Sequence, residues 1–169
     1  MNSINGGQFS KREKMQQLIL SVLVSIGSRP QVNQEFLLHV LYSIDFNHYE
    51  LHELSVTGDR YCKTETGAEA KVFEGALQEL IQMEHVIQVS KSLQTGLSYH
   101  KLLPTVSTKH GVFTEVEVQT IQEVLASLKD LTLEELRDRV QFDTPLMMAK
   151  IGEKLDYEYV FYRPDPQDV

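Results

Sequence analysis

Apolar residues recur at three- and four-residue intervals in five separate stretches of the chain, and each stretch opens on a helix-capping signal. Ser10 and Glu13 form a capping box ahead of Met15, Leu18, Ile19, Val22, Leu23 and Ile26, and Gly27 and Pro30 stop the run. Asn33 can cap a second helix carrying Phe36, Leu37, Val40, Leu41 and Ile44 on toward Phe46 and Tyr49. A short interval separates these two helices, so they are expected to pack together. Thr66 and Glu69 form another box, which predicts a third helix with Val72, Phe73, Ala76, Leu77, Leu80 and Ile81 inward. Thr114–Glu117 and Thr132–Glu135 repeat the signal before Val118 to Leu128 and before Leu133, Leu136 and Val140. Thr144 followed by Pro145 then starts a short last helix that Gly152 can end.

Elsewhere the period changes. Leu54 to Thr66 loses the helical repeat and carries Thr57-Gly58-Asp59 ahead of Tyr61, a turn leading into a short extended segment. Val86 to Val89 and Leu97 to Leu102, with Thr95 and Gly96 between them, predict a β-hairpin. Leu155, Tyr157, Tyr159 and Phe161 alternate with Asp156, Glu158, Val160 and Tyr162 up to Pro164, which predicts a terminal strand whose edge can accept a partner strand. The expected fold is mainly α (α+β): a helical domain with a small antiparallel sheet and a winged-helix-like order in the N-terminal two thirds. Residues 10–163 read as one domain between tails at 1–9 and 164–169, with no internal repeat.

A chain of 169 residues can bury about 70% of its unfolded surface without a disulfide. Its hydrophobic share of 41% is ordinary, and its apolar runs fall short of the ~20 residues of a membrane span. The polar Met1 to Gln8 lacks the pattern of a secretory signal. With Cys62 the single cysteine, no internal disulfide or cysteine-based zinc cluster is available, and a cytoplasmic protein is expected. The net charge of −8 argues against a surface that attracts nucleic acid or anionic lipid as a whole.

Candidate chemistry is sparse. His48 and His52 share a helical face, but Glu50 is one position late for the zinc-protease arrangement and no third ligand is indicated, so no metal site and no cofactor are assigned. Lys63 next to Cys62 can favour a thiolate, yet a nucleophile also needs a positioned base; a small strand residue is the simpler reading. No nucleophile elbow, phosphate-binding loop or dinucleotide fingerprint occurs. From His85 to Gly111 the chain has Lys91, Lys101 and Lys109 and no Asp or Glu, a mildly basic wing. The helix before it, however, sets Glu69, Glu74, Glu79 and Glu84 against Lys71, which repels phosphates. Glu115, Glu117, Glu123, Glu134 and Glu135 read as a solvated face, or as a surface for a basic partner.

The stretch Leu41-Tyr42-Ser43-Ile44-Asp45-Phe46, then Val56-Thr57-Gly58-Asp59-Arg60-Tyr61, then Gly67, resembles the SocA-like antitoxin (Panacea) family: a Leu-Tyr-x-x-Asp helix, a Thr-Gly-Asp-x-Tyr turn and a glycine at a helix entry. The resemblance runs over roughly Lys11 to Tyr162, with Val118–Leu128 and Leu131–Val140 similar to the family's paired C-terminal helices. Where the family has Gly-Pro-Val this chain has Gly67-Ala68-Glu69, and Gln141-Phe142 and Pro145-Leu146 stand where it has Ser-His and Pro-Trp. The resemblance implies a non-enzymatic protein that binds a toxin encoded beside it, directly or as an adaptor delivering it to a protease. Tyr42, Asp45, Thr57, Gly58, Asp59, Tyr61 and Gly67 are the motif residues, as scaffold or as contact surface. In the scaffold reading Gly58 takes a positive φ, Asp59 bonds to loop amides, and Tyr61 buries its ring with its hydroxyl partnered. The alternative is a winged-helix nucleic-acid binder; an enzyme working through Cys62 or the histidines is a third reading.

Overall fold

The computed structural model describes residues 9–96 and 98–168. Most of the expected 1–9 tail, Leu97 of the expected return strand and the last residue of the 164–169 tail lie outside these residues. Helix α1 (Lys11–Ile26) begins at the Ser10–Glu13 box, with both reciprocal bonds made at 3.1 and 2.7 Å. Met15 through Leu20 are buried without a break, so α1 is covered around most of its circumference and forms the centre of the molecule. Helix α2 (Gln34–His52) starts where the Asn33 side chain accepts from the Phe36 amide and lays Phe36, Leu37, Val40, Leu41, Ile44 and Phe46 into the same core.

Two short strands come next: β1 (Tyr61–Lys63) pairs antiparallel with β2 (Ala68–Ala70), Tyr61 opposite Ala70. The helix expected from Thr66 therefore starts later, as α3 (Phe73–Gln82). Tertiary pairing overrides the local capping box here. The segment is held in the ladder instead, with Thr64 N–H donating to Gly67 and Lys71 N–H to Arg60, both at 2.8 Å. Ala68 and Ala70 turn into the core, and α3 is capped from a distance: the Asp59 carboxylate accepts the Val72 amide at 2.9 Å. The hairpin β3 (Val86–Ser92) and β4 (Ser98–Pro104) follows in register, Val86 opposite Pro104. The winged-helix-like order is thus present with β1–β2 inserted between α2 and α3.

Helices α4 (Glu115–Leu128) and α5 (Leu133–Gln141) begin at their expected boxes, and α6 (Thr144–Met147) starts at an Asp143 cap and stops short of Gly152. The expected terminal strand is a correction: Tyr157–Tyr162 is a 3₁₀ helix. Its inward positions recur every three residues, with Tyr157 stacked on Phe46 at 4.2 Å, Val160 buried and Arg163 bonded to Asp143. An alternation of aromatic and acidic residues fits this period as readily as that of a strand, and no edge for strand addition exists there. Strand-like bonding occurs just before it, where Lys63 N–H donates to Glu153 and Leu155 N–H to Tyr61 along the free side of β1.

Gly67 shows how tightly β2 is seated on α2. A Cβ at this position would lie 2.6 Å from His39 Cε1, on a ring that is itself buried. Gly67→Ala is expected to cost about 1–3 kcal/mol through overpacking, read as a lower urea midpoint with an unchanged slope.

Candidate functional site

The densest polar arrangement in the core forms around Asp45, a wholly buried carboxylate on the inner face of α2. Its Oδ1 accepts the Thr57 amide at 2.8 Å, and its Oδ2 accepts the Thr57 and Tyr61 hydroxyls, each at 2.6 Å. The Asp59 amide donates to Thr57 Oγ1 at 3.2 Å, and Gly58, at φ 71°, makes the left-handed step between them. Asp59 does not close its own loop: its carboxylate caps α3, and its carbonyl accepts the Tyr157 hydroxyl at 2.7 Å. The rings of Tyr42, Phe46, Tyr61 and Tyr157 pack around this centre in stacked and edge-on pairs. Burial raises the Asp45 pKa against the pull of its hydrogen bonds, and burial also lifts Tyr61 far from ionisation.

A second centre gathers at Asp143, the cap of α6. Its four bonds come from the Thr144 amide, the Tyr42 hydroxyl at 2.6 Å and two guanidinium nitrogens of Arg163 at 2.8 and 2.6 Å. Arg163 also donates to Asn47 and Glu50, so the 3₁₀ helix is latched to both α2 and α6. Burial disfavours the Arg163 charge, but the Asp143 pair outweighs it and holds the pKa above the ordinary arginine value. Tyr42, Asn47, Asp143 and Arg163 line a cleft of about 200 Å³ with Ser43 and Arg139. Asp143 was not among the expected motif residues; the Asp-Thr-Pro order, an acidic cap before a helix-starting proline, is the signal that marks it.

Apart from Tyr157 and Arg163 the arrangement falls within residues 37–144, and over those residues the chain matches the family model described as antitoxin SocA-like, Panacea domain. The chain belongs to the SocA-like antitoxin family. No curated protein and no solved structure matches it.

In this Panacea domain Tyr42, Asp45, Thr57, Asp59 and Tyr61 are all buried, Asp45 bonded to Thr57 and Tyr61, Asp59 to the Val72 amide and Tyr42 to Asp143, and Gly67 underlies His39. Lys91 and Lys109 are exposed on the hairpin arm and the segment after it. Lys101 is different: its ammonium donates to the carbonyls of Arg29 and Val32, clamping the α1–α2 loop. Cys62 is half-buried in β1. His48 donates from Nδ1 to the Thr120 hydroxyl at 2.8 Å, since that hydroxyl itself donates to Val116, and the His52 ring lies 4.5 Å away. Among the described residues no three of His, Cys, Asp or Glu are grouped to hold a metal ion.

A third buried polar group, His39, faces Glu35 at 3.2 Å while Arg137 binds that carboxylate in a fork at 2.6 and 2.9 Å. With Nε2–H donating to Glu35, Nδ1 is left without a hydrogen-bond partner among the described residues. Burial lowers the His39 pKa despite Glu35, and it lowers that of His48.

Two outcomes follow. Asp45→Ala strands the Thr57 amide and hydroxyl and leaves the Tyr61 hydroxyl only the Leu41 carbonyl at 3.2 Å; it is expected to destabilise by about 3 kcal/mol or more, against about 1–2 kcal/mol for Tyr61→Phe, as measured by urea unfolding. The depressed histidines take up protons more readily in the unfolded chain, so their contribution is complete above the ordinary histidine pKa and is lost as pH falls through the folded values. The melting temperature is expected to drop on acidification below about pH 6.5. The drop is smaller in His39→Gln; an equal drop in both proteins assigns the effect elsewhere. Asp45, whose raised pKa acts in the opposite sense, is common to the two proteins and cancels in the comparison.

Proposed function

We propose that this chain neutralises a toxin encoded beside it by binding that protein, without catalysing a reaction. The family match over 37–144 supports the antitoxin role. The observation that carries the non-catalytic reading is the engagement of the motif: Asp45, Thr57, Tyr61, Asp59 and Tyr42 direct their polar atoms to one another, to α3 and to α6. Such residues hold a surface in place, and the surface is what a partner meets. Direct binding and delivery of the toxin to a protease both require that contact.

Among the described residues no helix is long and apolar enough to cross a membrane, which accords with action in the cytoplasm. The nucleic-acid reading has one observation in its favour, the acid-free stretch 85–111 with Lys91 and Lys109 exposed. Against it, the Lys101 ammonium is held by two carbonyls, and Glu74 on α3 and Glu84 just after it are exposed. Neutralisation by direct protein contact is therefore the favoured function.

Induced expression of the neighbouring open reading frame is expected to arrest growth, and co-expression of this chain to restore it. A stable toxin level during rescue marks neutralisation by binding, and a shortened toxin half-life marks delivery to a protease. A neighbour that is harmless when expressed alone overturns the antitoxin role. Recovery of nucleic acid in a salt-sensitive manner, with no protein partner, moves the assignment to the winged-helix alternative.

A further inference from the structure

The segment around the short helix α6, residues 142–151, carries apolar side chains both inward and outward. Pro145 and Leu146 are buried, whereas Phe142, Met147, Met148 and Ile151 stand 74%, 61%, 57% and 65% exposed. Pro145 and Leu146 are covered by the core, while the outward apolar side chains of the segment have no cover among the described residues. The exposure does not come from slack backbone. Lys63 Nζ donates to the carbonyls of Leu146 at 2.9 Å and Ala149 at 3.0 Å, and Gly152 N–H returns to the Lys63 carbonyl at 2.8 Å. At the other end Asp143 caps the helix while holding Arg163, and the 3₁₀ helix packed on α6 adds Tyr162, 74% exposed.

Large apolar side chains held outward on an anchored element mark an interaction surface, and two methionines give it side chains that adapt to an irregular partner. Its surroundings select the partner's chemistry. Between residues 133 and 168 the exposed carboxylates are Glu134, Glu135, Asp138, Glu153, Asp156, Glu158, Asp165 and Asp168, against the exposed cations Arg139, Lys150 and Lys154. These carboxylates lie on α5, on the turn after α6 and on or beside the 3₁₀ helix, the elements that adjoin α6, and form an acidic rim; a second copy of this chain would bring the same rim against itself and be repelled.

We propose that this platform is the docking surface for the toxin, and that it takes an apolar segment of that partner bordered by lysine and arginine. The inference rests on the antitoxin reading and adds to it the surface and the partner's chemistry. Apolar contact supplies the affinity, and the acidic rim steers association and excludes acidic competitors.

The test is calorimetric titration of the purified full chain with the purified product of the neighbouring gene. The variant Phe142→Ser/Met148→Ser/Ile151→Ser is expected to melt within a few degrees of the parent and to bind about 100-fold or more weakly. Ile87→Ser/Leu103→Ser, on the exposed face of the hairpin, is expected to bind as the parent does. If the triple variant fails to fold, Met148→Lys gives the same readout, with a loss of about 10-fold or more as it meets a basic rim. Equal binding by a folded platform variant overturns the assignment of this surface and leaves toxin binding standing. Failure of the parent itself to bind overturns both. A parent that is dimeric by light scattering and becomes monomeric in the variant assigns the platform to self-association and overturns the proposal.

Discussion

A single carboxylate buried without a counter-cation sets the terms for this molecule. Asp45 is shut off from bulk solvent, so its oxygens need donors, and a carboxylate deprived of them would be costly to bury. The donors arrive from a loop twelve to sixteen residues downstream: the Thr57 amide, the Thr57 hydroxyl and the Tyr61 hydroxyl. Satisfying Asp45 therefore draws the Thr-Gly-Asp-x-Tyr turn onto α2 and fixes where β1 begins. Burial leaves the charge disfavoured even so, which is why the carboxyl titrates above the usual range.

From that point the rest of the fold is tied in sequence. The turn that brings Thr57 to Asp45 also delivers Asp59 to the start of α3 and its carbonyl to Tyr157. Strand β1, placed by Tyr61, offers Lys63 to the C-terminal carbonyls of α6, where a cation also favours the helix dipole. Asp143 then closes the loop by joining Tyr42 on α2 to Arg163 past the 3₁₀ helix. Each link is a polar side chain completing a distant backbone or side-chain group. Such links specify one arrangement among many that apolar packing alone would tolerate. In this arrangement the polar atoms of the family motif are turned inward, and the surface proposed for the partner is the acidic, apolar C-terminal one.

Much of this was legible in the sequence because it is local. Ser10, Asn33, Thr114 and Thr132 all cap the helices they announce, since a cap needs only its own next turn. The motif residues were named from a resemblance to a family rather than from spacing. The failures have a common physical origin in distance along the chain. The Thr66–Glu69 box lost to pairing with β1, and the true cap of α3 is Asp59, thirteen residues from the amide it binds. The C-terminal aromatics fitted a period of two as well as three, and contacts with Phe46 and Asp143 decided for three. Lys101 counted as surface charge in the sequence and serves in the structure as a clamp on the α1–α2 loop.

The claim that Asp45 organises the fold is tested most directly by native-state hydrogen exchange at two backbone amides, Thr57 and Val72. Both donate to motif carboxylates, Thr57 to Asp45 and Val72 to Asp59, from positions that local helix structure would leave open. If the network is the centre of the structure, both amides exchange only through global unfolding, with the same free energy and denaturant dependence as the slowest amides of α2. Exchange of either through a low-energy local opening, while α2 stays protected, would contradict the account and make the motif a detachable loop.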